Sequence, residues 1–166
     1  MTLFNLFTEA RRINLLICSL FFLPVLYCWG NEPVTSIAFG SCLKETRPQP
    51  IWETVIDLQP DVFILLGDNI YGDTRDMSKL REKWNKFSSI EGFQKLRSKC
   101  RLLAVWDDHD YGENDAGLEY PPKAESQQIF LDFLDEPKDS IRRKSPGIYD
   151  SIILGPYGKR VQFVLL

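Results

Sequence analysis

Histidine is almost missing from this chain, with one residue, His109, among 166. That scarcity excludes a self-contained zinc site of the multi-histidine kind and confines imidazole base chemistry to a single position. A cationic excess is missing too, since 20 lysines and arginines stand against 23 aspartates and glutamates, for a net charge of −3. No basic surface is left to hold nucleic acid by counterion release. Collagen, coiled-coil and repeat patterns are absent as well. What is present, 44% hydrophobic, 26% charged and 13% aromatic side chains, suits one ordinary globular domain and is too apolar for a disordered chain.

Residues 1–30 read apart from the rest. Arg11 and Arg12 directly precede an apolar stretch from Ile13 to Trp29, interrupted by Asn14, Ser19 and Pro24. Its length, about seventeen residues, sits at the lower limit for a membrane span and slightly above a signal-peptide core. The expectation is a signal peptide cleaved after Gly30 and an exported protein, periplasmic, extracellular or in the secretory pathway; an uncleaved anchor would be the only membrane contact. The remaining domain, residues 31–166, keeps two cysteines, Cys42 and Cys100. Two cysteines allow one disulfide but make no disulfide scaffold.

Within that domain Val34 to Phe39 reads as a strand stopping at Gly40-Ser41-Cys42. Pro50 opens a helical run through Trp52, Val55 and Ile56 that Pro60 ends. Val62 to Leu66 is apolar without alternation, as for a strand covered on both faces, and Gly67-Asp68 terminates it. Met77 to Phe87 and Gly92 to Lys99 read as charged helices burying Leu80, Trp84, Phe87, Phe93 and Leu96. Leu102 to Trp106 is another buried strand. Lys123 to Leu134 reads as an amphipathic helix, Lys138 to Lys144 as a basic linker, and Ile148 to Leu154 with Val161 to Leu166 as a β-hairpin. Strands alternating with helices make this an α/β layered domain with mainly parallel strands, whose functional loops collect at the strands' carboxyl ends.

Three loops follow the three strands, at Gly40 to Cys42, Gly67 to Tyr71 and Asp107 to Asp115. The last places five carboxylates, Asp107, Asp108, Asp110, Glu113 and Asp115, in nine residues. Such density raises carboxyl pKa values unless cations neutralise it, and hard oxygen ligands suit calcium, magnesium or oxidised iron. An EF-hand is excluded, because Glu113 occupies the position that needs glycine and a strand, not a helix, precedes the loop.

The motifs F-G-S-C (Phe39 to Cys42), G-D-N-I-Y (Gly67 to Tyr71) and W-D-D-H-D-Y-G-E-N-D-A-G (Trp106 to Gly117) resemble those of the PhoD-like alkaline phosphatases, within the calcineurin-like metallophosphoesterases. The resemblance spans roughly residues 34 to 166 in matching order. It implies a metallophosphoesterase-type β-sandwich flanked by helices and hydrolysis of phosphate mono- and diesters with iron and calcium, or another divalent metal. By motif, Cys42 and Tyr71 resemble the thiolate and phenolate ligands of iron, and Asp68 the carboxylate shared between metals. Asp108 stands where the superfamily has an asparagine, and His109 resembles the histidine that approaches the scissile phosphate. The family's later histidines and aspartate motif would follow Leu166, so the chain reads as truncated, with half the metal cage beyond it.

Blander roles stay open for the same residues. Cys42 and Cys100 are compatible with a disulfide, Tyr71 with a core cap, His109 with a hydrogen bond to a carbonyl, and Asn114 and Asp115 with either a cap or calcium. Rivals are a non-catalytic acidic module holding calcium through residues 107–115 and an inactive fragment of a longer enzyme, since the truncated chain lacks the later ligands. An incomplete sheet is expected to leave Phe63, Leu65, Val105 and Phe163 partly exposed.

Overall fold

The computed structural model describes residues 32–166, and the expected signal peptide or anchor lies outside that range. Three short β-branched or leucine-rich runs form a parallel sheet in the order β1 (Ile37–Gly40), β2 (Val62–Leu66), β3 (Arg101–Val105). Parallel neighbours need long crossovers. Helix α1 (Ile51–Asp57) supplies the first; α2 (Met77–Ser88) and α3 (Glu91–Arg97) supply the second. A single turn, α4 (Asp108–Tyr111), follows β3, then α5 (Lys123–Phe133), a 3-10 turn at Ile141–Arg143 and an antiparallel hairpin, β4 (Asp150–Leu154) and β5 (Val161–Leu165). The molecule is therefore mixed α/β, with a three-stranded parallel sheet and a two-stranded antiparallel one.

Alternation along the strands separates two apolar clusters. Phe63, Leu65 and Ala104 join the helices in the larger one, with Trp52, Trp84, Phe87, Phe93 and Phe130. Phe87 is its hub, with ring centroids 4.4 Å from Phe93 and 5.5 Å from Phe133. Val62 and Leu103 point the other way and meet Leu154, Phe163 and Leu165 of the hairpin. Cover on both faces explains why β2 shows no alternation.

Partial exposure of Phe63, Leu65 and Phe163 is not what the structure has: they are 3%, 0% and 8% exposed, and Val105 is half-buried. The hairpin packs against β2 and β3 and leaves the β1 end of that face open. The exposed apolar residues there are Ile37, Phe39 and Leu66, in register with or following Val62 and Ile64. The 138–144 segment is a basic linker with Lys138, Asp139, Ile141 and Lys144 exposed, but one buried side chain anchors it. Arg142 is buried, ion-paired with Glu136 at 2.8 Å and donating to the Ile148 carbonyl at 2.9 Å, because the connection between α5 and the hairpin needs partners for its backbone. Among the described residues Cys42 and Cys100 form no disulfide, the first exposed and the second buried, the pKa of its thiol pushed up to about 11 by that burial. Among the described residues, no helix is long and apolar enough to cross a membrane.

Because Phe87 is fully buried among aromatic rings, Phe87→Ala is expected to cost about 3–5 kcal/mol in urea unfolding. Phe39→Ala, on the open face, is expected to change stability by no more than about 0.5 kcal/mol. Equal losses for the two variants would contradict this assignment of core and surface.

Candidate metal centre

All three parallel strands end at one edge, where their loops are tied to each other by main-chain bonds. The Cys42 and Leu43 amides donate to the Gly67 and Asp68 carbonyls at 3.3 and 2.8 Å. On the other side the Gly72 amide donates to the His109 carbonyl at 2.9 Å, and that of Thr74 to Gly112 at 3.3 Å. Gly72 permits this approach, since a Cβ there would lie 2.6 Å from the His109 carbonyl oxygen. Gly67, at φ +102°, and Asp68, at φ 49°, turn the chain out of β2 through left-handed conformations.

The buried Asp110 carboxylate joins two of these loops. One oxygen accepts from the Ile70 amide at 2.9 Å; the other accepts from Asn69 Nδ2 and the Asp107 amide, both at 3.0 Å. Asn69 also donates to the Val105 carbonyl at 2.9 Å, fastening the loop after β2 to the end of β3. Asp107 caps α4 and accepts from the Asp108 amide at 2.9 Å, which presents residues 108 and 109 beside Asp68. Burial pushes the Asp110 carboxyl up to about 7, against the three N–H donors that pull it down.

Asp68, Asp108 and His109 are thereby brought together, each offering one ligand atom within 4.8 Å of the others. Asp68 Oδ1 is buried without a hydrogen-bond partner among the described residues, and its Oδ2 lies 3.7 Å from the Cys42 thiol. The Tyr71 ring lies 4.6 Å from the His109 ring, and its phenol is raised by burial and by the charges of Asp68 and Cys42. Main-chain amides hold Asp108 in place, that of His109 at 2.9 Å and also that of Asp115. An orphaned buried carboxylate oxygen, a second carboxylate, an imidazole and a neighbouring thiol are a donor set that fits a di- or trivalent cation.

Asp73 had no signal in the sequence. Its carboxylate stands 2.6 Å from His109 Nδ1, 36 residues away in the chain, and leaves Nε2 as the ring's free nitrogen. Burial pulls the imidazole down, but Asp73, Asp108 and Asp68 together outweigh it and raise its pKa above the ordinary value. The expected five-carboxylate cluster does not form one cation site. Asp107 and Asp110 are satisfied by N–H donors, Glu113 pairs with Arg75 at 2.9 Å, and Asp115 accepts from Asn114 at 2.6 Å. Only Asp108 of the five belongs to the three-residue group. No protein-family model and no curated protein matches this chain.

The folded-state pKa of Asp110, about 7, lies above the unfolded value of roughly 3.9. Stability from this group is therefore fully present below the unfolded value and is lost as pH rises through about 7. Asp110→Asn sets an NH₂ against a buried N–H donor and is expected to cost roughly 1–3 kcal/mol. In metal-free protein that deficit should be largest near the acid end of this window and narrow above it, measured by denaturant unfolding across pH. A deficit independent of pH would remove the titration from Asp110.

Proposed function

We propose that the protein is an exported metal-dependent phosphoesterase of the PhoD-like kind, hydrolysing phosphate mono- and diesters in a layered metallophosphoesterase-type domain. The observation that carries the reading is the meeting of Asp68, Asp108 and His109, with Cys42 and Tyr71 beside them, at the carboxyl ends of a parallel sheet. These are the residues that the motif resemblance singles out, drawn from three loops remote in the chain.

Asp68 and Asp108 would hold the cations, with Cys42 and Tyr71 on the side suited to iron and oxygen ligands suited to calcium. A bound cation supplies Lewis-acid polarisation of the phosphoryl oxygens and makes a water molecule acidic enough to attack phosphorus. The chain's own contribution is orientation and proton supply. Asp73 holds His109 Nδ1 and so fixes the ring, as carboxylates do for histidines at metal sites. The Asp73 carboxylate on Nδ1 favours the imidazolium, whose Nε2 proton would pass to the departing ester oxygen. The rival reading, a calcium module built on residues 107–115, is weakened because most of those carboxylates already have protein partners.

Asp68→Asn is expected to lower bound iron and calcium, measured by elemental analysis. His109→Ala is expected to keep the metals and lose about two to four orders of magnitude in turnover of bis(p-nitrophenyl) phosphate. Asp73→Asn should keep the metals and lose about 10- to 100-fold. Metal loss in His109→Ala equal to that in Asp68→Asn would make His109 a ligand instead of the proton donor.

A further inference from the structure

Beside the candidate centre lies a cleft of about 570 Å³ that shares Cys42 and Tyr71 with it. Its outer wall is the segment after β1, including Lys44, Arg47, Pro48 and Ile51, and no carboxylate lines it. The adjoining centre is the opposite, built around Asp68 and Asp108. Neither Lys44 nor Arg47 has a carboxylate partner among the described residues, so both charges are free to meet an anion.

The segment is built and held. Gln49 Nε2 donates to the Lys44 carbonyl at 3.0 Å, and its Oε1 accepts from the indole of the buried Trp52 at 2.7 Å. The Arg47 amide closes a turn on the same Lys44 carbonyl at 2.9 Å. The Lys44 ammonium sits 5.3 Å from the centroid of the Tyr71 ring, a cation–π distance that keeps the charge at the mouth of the centre. Ile51, the first residue of α1, is 50% exposed, and the cleft it lines gives that apolar side chain a use that the core does not.

We propose that this cleft receives the ester group of the substrate and selects phosphodiesters whose ester group carries a second anion, a carboxylate or phosphate, paired with Lys44 and Arg47. The inference rests on the phosphoesterase reading of the neighbouring centre. With the phosphoryl group beside Asp68, Asp108 and His109, an ester group extending past Cys42 and Tyr71 meets an apolar wall and then two unpaired cations. An uncharged ester group would find the same wall and no partner for the cations.

The test compares two non-hydrolysable, nearly isosteric phosphinate probes, with carbon in place of the bridging ester oxygen, on the full chain supplied with iron and calcium: (4-carboxyphenethyl)methylphosphinate and (4-carbamoylphenethyl)methylphosphinate. Isothermal titration is expected to show the carboxylate binding about 5- to 30-fold more tightly at low salt, the scale of two partly screened ion pairs. The preference should fall with added salt, disappear in the Lys44→Gln/Arg47→Gln double variant and survive in Lys86→Gln, on α2. Equal binding of the two probes, or a preference that persists in the double variant, overturns the cleft assignment. Hydrolysis of 4-carboxyphenyl methyl phosphate is followed in parallel. Failure of hydrolysis with the binding preference intact removes the phosphoesterase reading and leaves the anion cleft standing; hydrolysis without preference does the reverse.

Discussion

A single buried carboxylate, Asp110, holds together the sheet edge that carries the candidate site. Its two oxygens take N–H donors from Asn69, Ile70 and Asp107, and Asn69 continues the network to the end of β3. Loops are ordinarily the loosest part of a parallel α/β sheet, because their backbone groups have water as an alternative partner. Here those groups are taken out of water and given one shared acceptor, so the loop carrying Asp68 and the turn carrying Asp108 and His109 have one mutual arrangement. Burying a carboxyl is costly, and its raised pKa is the visible sign of that cost.

The same edge shows how an acidic sequence is made tolerable without neutralising every charge by cations. Asp107 is used as a helix cap, Asp110 as a main-chain acceptor and Glu113 as a partner for Arg75. What remains without such partners is the buried Oδ1 of Asp68, next to Asp108 and His109. Asp73 adds an outer carboxylate that fixes the imidazole. The negative charge is thus concentrated on one spot, and the cationic cleft bearing Lys44 and Arg47 begins where it ends.

Much of the fold was legible in local pattern. The runs that became β1, β2 and β3, the charged helices α2 and α3, and the closing hairpin each carry a period or a breaker that one stretch of chain displays by itself. Trp52, Trp84 and Phe93 announced the core through helical spacing, and they are buried. Boundaries and small elements were less legible. The single turn of α4 hides inside an acidic run whose composition suggested a metal-binding loop, and the burial of Arg142 inverts the ordinary expectation for a basic connection.

For the site, the sequence alone determined which residues stand at the carboxyl ends of apolar strands, because a strand's end is marked by neighbouring residues: Cys42, Asp68, Tyr71, Asp108 and His109. It also determined, through Gly67-Asp68, that β2 ends there. Tertiary structure decided which carboxylates remain free, that Asp73 reaches His109 across 36 residues, and that Lys44 and Arg47 line the adjoining cleft with no carboxylate partner among the described residues. The physical reason is range. Strand periods and turn residues act between near neighbours, whereas hydrogen-bond satisfaction and charge pairing depend on distances in space that only the packed chain sets.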